Sequence, residues 1–197
     1  MTGTTHPPRP LYGVVLVWLA LALAAGASGA VARSPVPLPA VALGLTAAWL
    51  VAYAASPGLR KRVRAVPPPA LVALHLTRFV GAYFIVLYRR GELPFAFAVP
   101  GGWGDILVAA TASALLLGAF PVRSPLRRRT VLVWNVLGLL DILFVVSTAL
   151  RLFLADPDAL APLARLPLSL LPTFLVPVIV LTHLRIFGWL REARGGD

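Results

Sequence analysis

Long apolar segments dominate the chain, and short charged or proline-rich linkers separate them. A helix needs about 20 apolar residues to cross the hydrocarbon core of a bilayer. Each segment is too long and too uniformly apolar for a strand. We therefore expect an all-α fold, a single transmembrane domain over residues 1–197 that crosses the bilayer about six times. The predicted helices cover residues 11–32, 36–55, 70–88, 103–120, 130–154 and 168–190.

Basic residues are concentrated in alternate linkers, and this asymmetry predicts an orientation. The positive-inside rule places the arginine-rich linkers 2–3 and 4–5, and both termini, in the cytoplasm. We therefore expect a multi-pass protein of the cell membrane. The opposite linkers hold Arg33, the exceptional pair Arg89–Arg90 beside Glu92, and Asp156, Asp158 and Arg165. The cytoplasmic set comprises Arg60, Lys61, Arg62, Arg64, Arg123, Arg127, Arg128, Arg129, Arg185, Arg191 and Arg194.

Composition narrows the class of protein further. The chain is 59% hydrophobic and only 13% charged, which leaves no room for a large soluble domain beside the apolar segments. The net charge of +11 lies next to those segments, so we expect contact with the bilayer and not with nucleic acid. The absence of cysteine excludes disulfides, thiolate catalysis and iron–sulfur ligation.

The first two segments contain no ionisable residue in their cores and are expected to act as scaffold. In the second segment, small residues recur at every fourth position, which predicts a face for close helix packing: Ala40, Gly44, Ala48 and Ala52. The first segment has an alternative interpretation. Arg9, the apolar run 11–25 and the small residues 28–30 also resemble a cleaved secretory signal, which would leave five helices.

Intramembrane polar residues fall on segments three to six, in two layers. At about 1.5 Å of rise per residue, His75, Asn135 and His183 lie at similar depths near the cytoplasmic side. Arg78 and Asp141 lie near the middle, and we expect them to form an ion pair between segments three and five. That pair serves helix packing alone, or it lines a ligand cavity or a proton path.

The two histidines allow several roles. Equal depth on different helices suits a bis-histidine haem b site, with His75 and His183 as iron ligands. It also suits another metal or a proton relay. The simplest alternative is hydrogen bonding to a backbone carbonyl or to Asn135.

The linker before segment four is apolar but rich in proline and glycine. Residues 91–102 are too short to span, so a re-entrant or interfacial segment at the outer mouth is expected. Asp105 would open the fourth helix, where it either caps free amides or faces the mouth with Glu92 and Arg151. In segment six, two prolines predict a bent helix, Pro172 and Pro177.

The last four segments carry three motifs: His75-x-x-Arg78-x-x-Gly81; Gly91-Glu92-Leu93-Pro94-Phe95-Ala96 leading into Gly102-Trp103-Gly104-Asp105; and Trp134-Asn135-x-x-Gly138-x-x-Asp141. Together they resemble those of a group of uncharacterised bacterial membrane proteins. The resemblance implies a membrane fold and carries no activity with it.

Three functional hypotheses follow. The leading one is binding or movement of a small molecule, ion or proton through a polar interior formed by segments three to six. The alternatives are a haem b electron carrier and a structural subunit of a larger membrane complex. No nucleophile–base pair, metal-ligand set or nucleotide loop is recognised, so the sequence assigns no enzyme activity, and it leaves the oligomeric state open.

Overall fold

The computed structural model describes residues 9–122 and 124–192, and helices account for most of that length. Arg123 and Arg194, two of the predicted cytoplasmic charges, lie outside the described residues. Within α5, the stretch Leu74–Val80 is a 3-10 helix, and α8 begins with the π-helical turn Leu171–Leu175. The helices are α1 (Arg9–Ala27), α2 (Ala30–Arg33), α3 (Leu38–Ala55), α4 (Pro57–Arg64), α5 (Pro68–Arg89), α6 (Phe95–Gly118), α7 (Pro125–Ala155) and α8 (Leu171–Glu192).

Five of these helices, α3 and α5 to α8, are long and apolar enough to cross a membrane. This confirms the expected all-α fold and the helical character of segments two to six. The apolar part of α1, Leu11–Ala27, is shorter than these five. The short basic helix α4, which begins with a Ser56 cap on the Leu59 amide, was not predicted because four charges in eight residues look like a linker.

Helices α5 to α8 form an antiparallel bundle with an apolar cluster at each end. The first cluster joins the beginnings of α5 and α7 to the ends of α6 and α8: Leu71, Val72, Leu115, Val131, Ile186 and Leu190. The second joins the opposite ends of the same helices: Phe84, Leu87, Phe97, Val145, Ala149 and Leu171. All buried intramembrane charges of the described residues lie between these two clusters.

The prediction of a separate re-entrant segment over residues 91–102 is wrong. Helix α5 ends in a tight turn, in which the Gly91 amide (φ +74°) donates to Tyr88 and the Glu92 amide donates to Leu87, both at 2.9 Å. Helix α6 then begins at Phe95 and runs through Pro100 without a break. Because backbone groups in a bilayer must be paired within the segment, continuing the helix satisfies more of them than a re-entrant loop would.

The expected packing stripe of α3 is also wrong. Ala40, Gly44, Ala48 and Ala52 are exposed, and a side chain at Gly44 would meet nothing within 4 Å. The buried face of α3 instead carries Pro39, Ala42 and Thr46. Spacing by fours identifies small-residue faces, but it cannot tell which face of an apolar helix its neighbours cover.

Pro177 makes α8 depend on α1. A proline has no amide hydrogen, so Pro177 cannot donate to the Thr173 carbonyl one turn earlier. The Trp18 indole of α1 donates to that carbonyl at 2.9 Å. Trp18 also stacks on Trp49 of α3 and meets Phe174 edge-on. The bend predicted from Pro172 and Pro177 stays a prediction; the structure shows a π-helical turn over Leu171–Leu175, which contains Pro172.

We expect Trp18→Phe to destabilise the protein by about 1–3 kcal/mol, because the aromatic contacts remain while the Thr173 carbonyl loses its donor. The free energy of unfolding in mixed micelles would measure the effect. Trp103→Phe is the matched control, since Trp103 is 60% exposed on α6. Equal effects for the two variants would contradict this role for Trp18.

Candidate functional site

Arg78 lies at the centre of the bundle and bonds to two helices at once. From α5, its Nε donates to Oδ1 of Asp105 on α6 at 2.6 Å. Its Nη1 donates to the Gly138 carbonyl of α7 at 3.0 Å, and its Nη2 donates to Oδ2 of Asp141. The Arg78 side chain is 1% exposed. The predicted Arg78–Asp141 ion pair is therefore present, and a second carboxylate joins it.

Four glycines provide the space for this cluster. Gly81 of α5 and Gly102 of α6 face each other so closely that a β-carbon on Gly102 would lie 2.6 Å from the Gly81 carbonyl oxygen. Gly104 of α6 leaves room for the Asp141 carboxylate. Gly138 of α7 leaves room for the His183 ring, whose Cε1 would lie 2.7 Å from an added β-carbon. Close approach of the backbones lets short carboxylates reach Arg78.

Asp105 was predicted at the outer mouth, and this prediction is wrong. Because α6 begins at Phe95, Asp105 lies three turns inside the helix, where it is 4% exposed. The signal that locates it was in the sequence. An interior stripe at helical spacing runs through Phe97, Gly101, Asp105, Val108 and Ala112, all of which are buried.

Glu92 and Arg151, the other two residues predicted at the outer mouth, do not contact Asp105. Glu92 is exposed beside a small pocket that it shares with Tyr83 and Arg165. Arg151 is exposed near the end of α7, and it has no ion-pair partner within the described part of the chain.

The histidine layer lies next to the Arg78 cluster and is fully buried. The centroids of the His75 and His183 rings are 4.3 Å apart, and the Trp134 ring packs edge-on against His75. Asn135 makes two bonds to His183: Nδ2 donates to its carbonyl at 3.1 Å, and Oδ1 lies 2.8 Å from its Nδ1. His75, Asn135 and His183 therefore share the layer that their depths predicted.

Each histidine ring makes one polar contact through one of its nitrogens. The Asn135 amide nitrogen donates to the His183 carbonyl, and its oxygen lies 2.8 Å from Nδ1 of His183. The Thr182 hydroxyl oxygen lies 3.1 Å from Nε2 of His75 and 2.8 Å from the Ile179 carbonyl. The other nitrogen of each ring, His75 Nδ1 or His183 Nε2, is buried and has no hydrogen-bond partner among the described residues.

This geometry does not fit a bis-histidine haem. Bis-histidine ligation of a haem would place the macrocycle between the two rings. The observed rings are in contact, and the remaining space is filled by Trp134 and Thr182. Within residues 9–122 and 124–192, no group of three or more metal-ligating histidine, aspartate or glutamate side chains comes together.

A cavity of about 480 Å³ leads to the buried charges. Its inner end is formed by Arg78, Asp105 and Ile179. Its other end lies among the α2–α3 connection and the residues after α7, where Ser34, Asp158 and Arg165 line it. The walls are apolar and are contributed by α3 as well as by α5 to α8: Leu38, Ala42, Phe84, Phe97, Val145, Ala149, Leu171 and Leu175. Sequence reasoning treated α3 as inert scaffold and missed this contribution.

Comparison with protein families covers most of this architecture. Residues 35–191 match the family model described as Domain of unknown function (DUF8737). The chain belongs to the DUF8737 family. The matched range includes α3 to α7, nearly all of α8, the buried charges, the histidine layer and most of the residues lining the cavity, whereas α1 and α2 precede it. The match covers segments two to six and is consistent with the expected membership of an uncharacterised family.

No curated protein and no solved structure matches the sequence of this DUF8737 member.

Proposed function

We propose that this chain is a multi-pass protein of a bacterial cell membrane that binds a small, largely apolar molecule in its central cavity. The observation that carries the proposal is the combination of that cavity with ionised side chains at its inner end. A volume of about 480 Å³ falls within the range typical of small-molecule sites. Apolar walls with a few convergent polar groups are the usual composition of such sites.

The proposed topology has six crossings, with both termini in the cytoplasm. The Trp18 bond to Thr173 supports α1 as a retained member of the bundle. Basic residues at one end support the orientation: the Arg185 Nη2 donates to the Arg64 carbonyl at 3.1 Å, and Arg128 donates to the Leu190 carbonyl at the end of α8. In this orientation the cavity is reached from the outer side.

A panel of phenylbutyl probes of similar size tests the proposal. The probes carry a trimethylammonium, a neutral tert-butyl or a carboxylate group, and their binding to protein in nanodiscs is measured by equilibrium dialysis against empty nanodiscs. We expect saturable binding of at least one probe. Ala149→Trp should abolish it by filling the cavity, whereas Ala110→Trp, on an exposed position of α6, should not.

The same panel separates binding from a purely structural role. A structural subunit, the remaining hypothesis from the sequence, would bind no probe saturably. That outcome would overturn the proposed function, as would equal binding by wild type and Ala149→Trp.

A further inference from the structure

We propose that the cavity selects an organic monocation, a protonated or quaternary amine on an apolar body. This inference rests on the proposed function and adds the charge of the ligand to it. Its basis is the excess of negative charge in the cluster at the inner end of the cavity, together with the bonds that Arg78 already makes to the groups around it.

The charge cluster formed by Arg78, the buried Asp105 and the part-buried Asp141 carries more negative than positive charge. Arg78 supplies one positive charge, and Asp105 and Asp141 supply two carboxylates. His75 and His183 are counted as neutral, because their rings lie 4.3 Å apart next to Arg78, where a further positive charge would be repelled. An uncompensated charge inside a membrane bundle is costly. One further positive charge, a proton or a bound cation, balances the cluster.

Arg78 is a poor recognition group for an anionic ligand, because two carboxylates already neutralise its charge. Three of its five N–H groups donate, to Asp105, to the Gly138 carbonyl and to Asp141. Asp105, in contrast, lines the cavity and uses only Oδ1 in its bond to Arg78. Its Oδ2 has no hydrogen-bond partner among the described residues. The inner end of the cavity therefore offers a carboxylate oxygen, which accepts a donor or faces a cation.

The rest of the lining fits an apolar cation. Three aromatic rings line the cavity, and aromatic faces attract ammonium groups while they pack against hydrocarbon: Phe84, Phe97 and Phe153. At the other end of the cavity, Asp158 and Arg165 carry opposite charges, so that end has no net charge. The selectivity for charge then comes from Asp105.

The phenylbutyl pair with trimethylammonium and tert-butyl heads isolates charge from shape, because the two heads are nearly identical in size. We expect wild-type protein in nanodiscs to bind the cation about tenfold or more tightly than the neutral probe. Asp105→Asn should remove that ratio by weakening the cation alone. Glu92→Gln removes an exposed carboxylate outside the cavity and should leave the ratio unchanged.

The wild-type ratio needs no mutant, so the inference can be tested even if Asp105→Asn fails to fold. Equal binding of the two probes, with loss of both in Ala149→Trp, would overturn the cation assignment and leave the proposed function intact. Tightest binding of the carboxylate probe would also overturn it. Binding of no probe would overturn both proposals together.

Discussion

Arg78→Ala is expected to destabilise the protein by about 3–5 kcal/mol, the largest effect of any single substitution in the bundle. The loss comes from two carboxylates, the buried Asp105 and the part-buried Asp141, which would be left without their common cation. The Gly138 carbonyl would lose a donor as well. The free energy of unfolding in mixed micelles, with the monodisperse fraction from size-exclusion chromatography, measures the change.

Arg89→Ala is the matched control, since Arg89 lies on the same helix and is exposed. Similar losses in the two variants would contradict the central role of Arg78. Replacing the whole cluster offers a second check. Arg78→Met combined with Asp105→Leu and Asp141→Leu should recover much of the lost stability, because removing every charge leaves none unpaired.

Exchanging the charges, by Arg78→Asp combined with Asp141→Arg, should not restore the stability that either single variant loses. A carboxylate introduced at position 78 would face Asp105, which now bonds to Arg78 at 2.6 Å. The guanidinium introduced at position 141 would also have to fit against Gly104, where there is room only for a shorter side chain.

Gly81→Val is expected to have the second-largest effect, about 3 kcal/mol. A β-carbon on Gly81 would lie 2.7 Å from the Asp105 Cβ and 3.1 Å from the Gly102 carbonyl carbon. Backbone cannot rotate away as a flexible side chain can, so α5 and α6 must separate. That separation would also lengthen the ion pair between Arg78 and Asp105, so a change in helix packing would weaken the charge cluster as well.

Gly44→Val provides the control, because it makes the same change on a membrane helix where nothing lies within 4 Å. We expect its thermal midpoint to stay within a few degrees of wild type, while that of Gly81→Val falls well below it. Comparable midpoints would show that the contact between Gly81 and Gly102 does not limit helix approach.

Sequence alone predicted the helices because apolar length is a direct consequence of bilayer thickness. It also predicted which polar groups of segments three, five and six lie at similar depths, because position along a helix sets depth. Arg78 and Asp141, and separately Asn135 and His183, could therefore be matched across helices. Depth, however, carries no information on azimuth, the direction in which a side chain leaves its helix.

The errors have two causes. Asp105 was assigned to the outer mouth because Pro100 and three nearby glycines suggested a helix boundary, whereas a continuous helix runs through them. The small-residue stripe of α3 was expected to be a face for close helix packing, although the other helices of the chain cover the face that carries Ala42 and Thr46. The cavity itself could not be predicted, because an empty volume depends on how six helices and two connections pack together.

The 3-10 stretch of α5 changes the angular positions of its residues around the helix axis. In an α-helix, His75, Arg78 and Gly81 would spread over about 120° of the circumference, since each third residue falls about 60° short of a full turn. A 3-10 helix has three residues per turn, so the same three positions align along one edge. Because a 3-10 helix rises about 2 Å per residue, the His75 ring and the Arg78 guanidinium are also offset by about 6 Å along the axis of α5. Because of this tighter winding, His75, Arg78 and Gly81 lie along one edge of α5 at three different heights. There His75 contacts the His183 ring, Arg78 bonds to the carboxylates of Asp105 and Asp141, and Gly81 meets the Gly102 backbone.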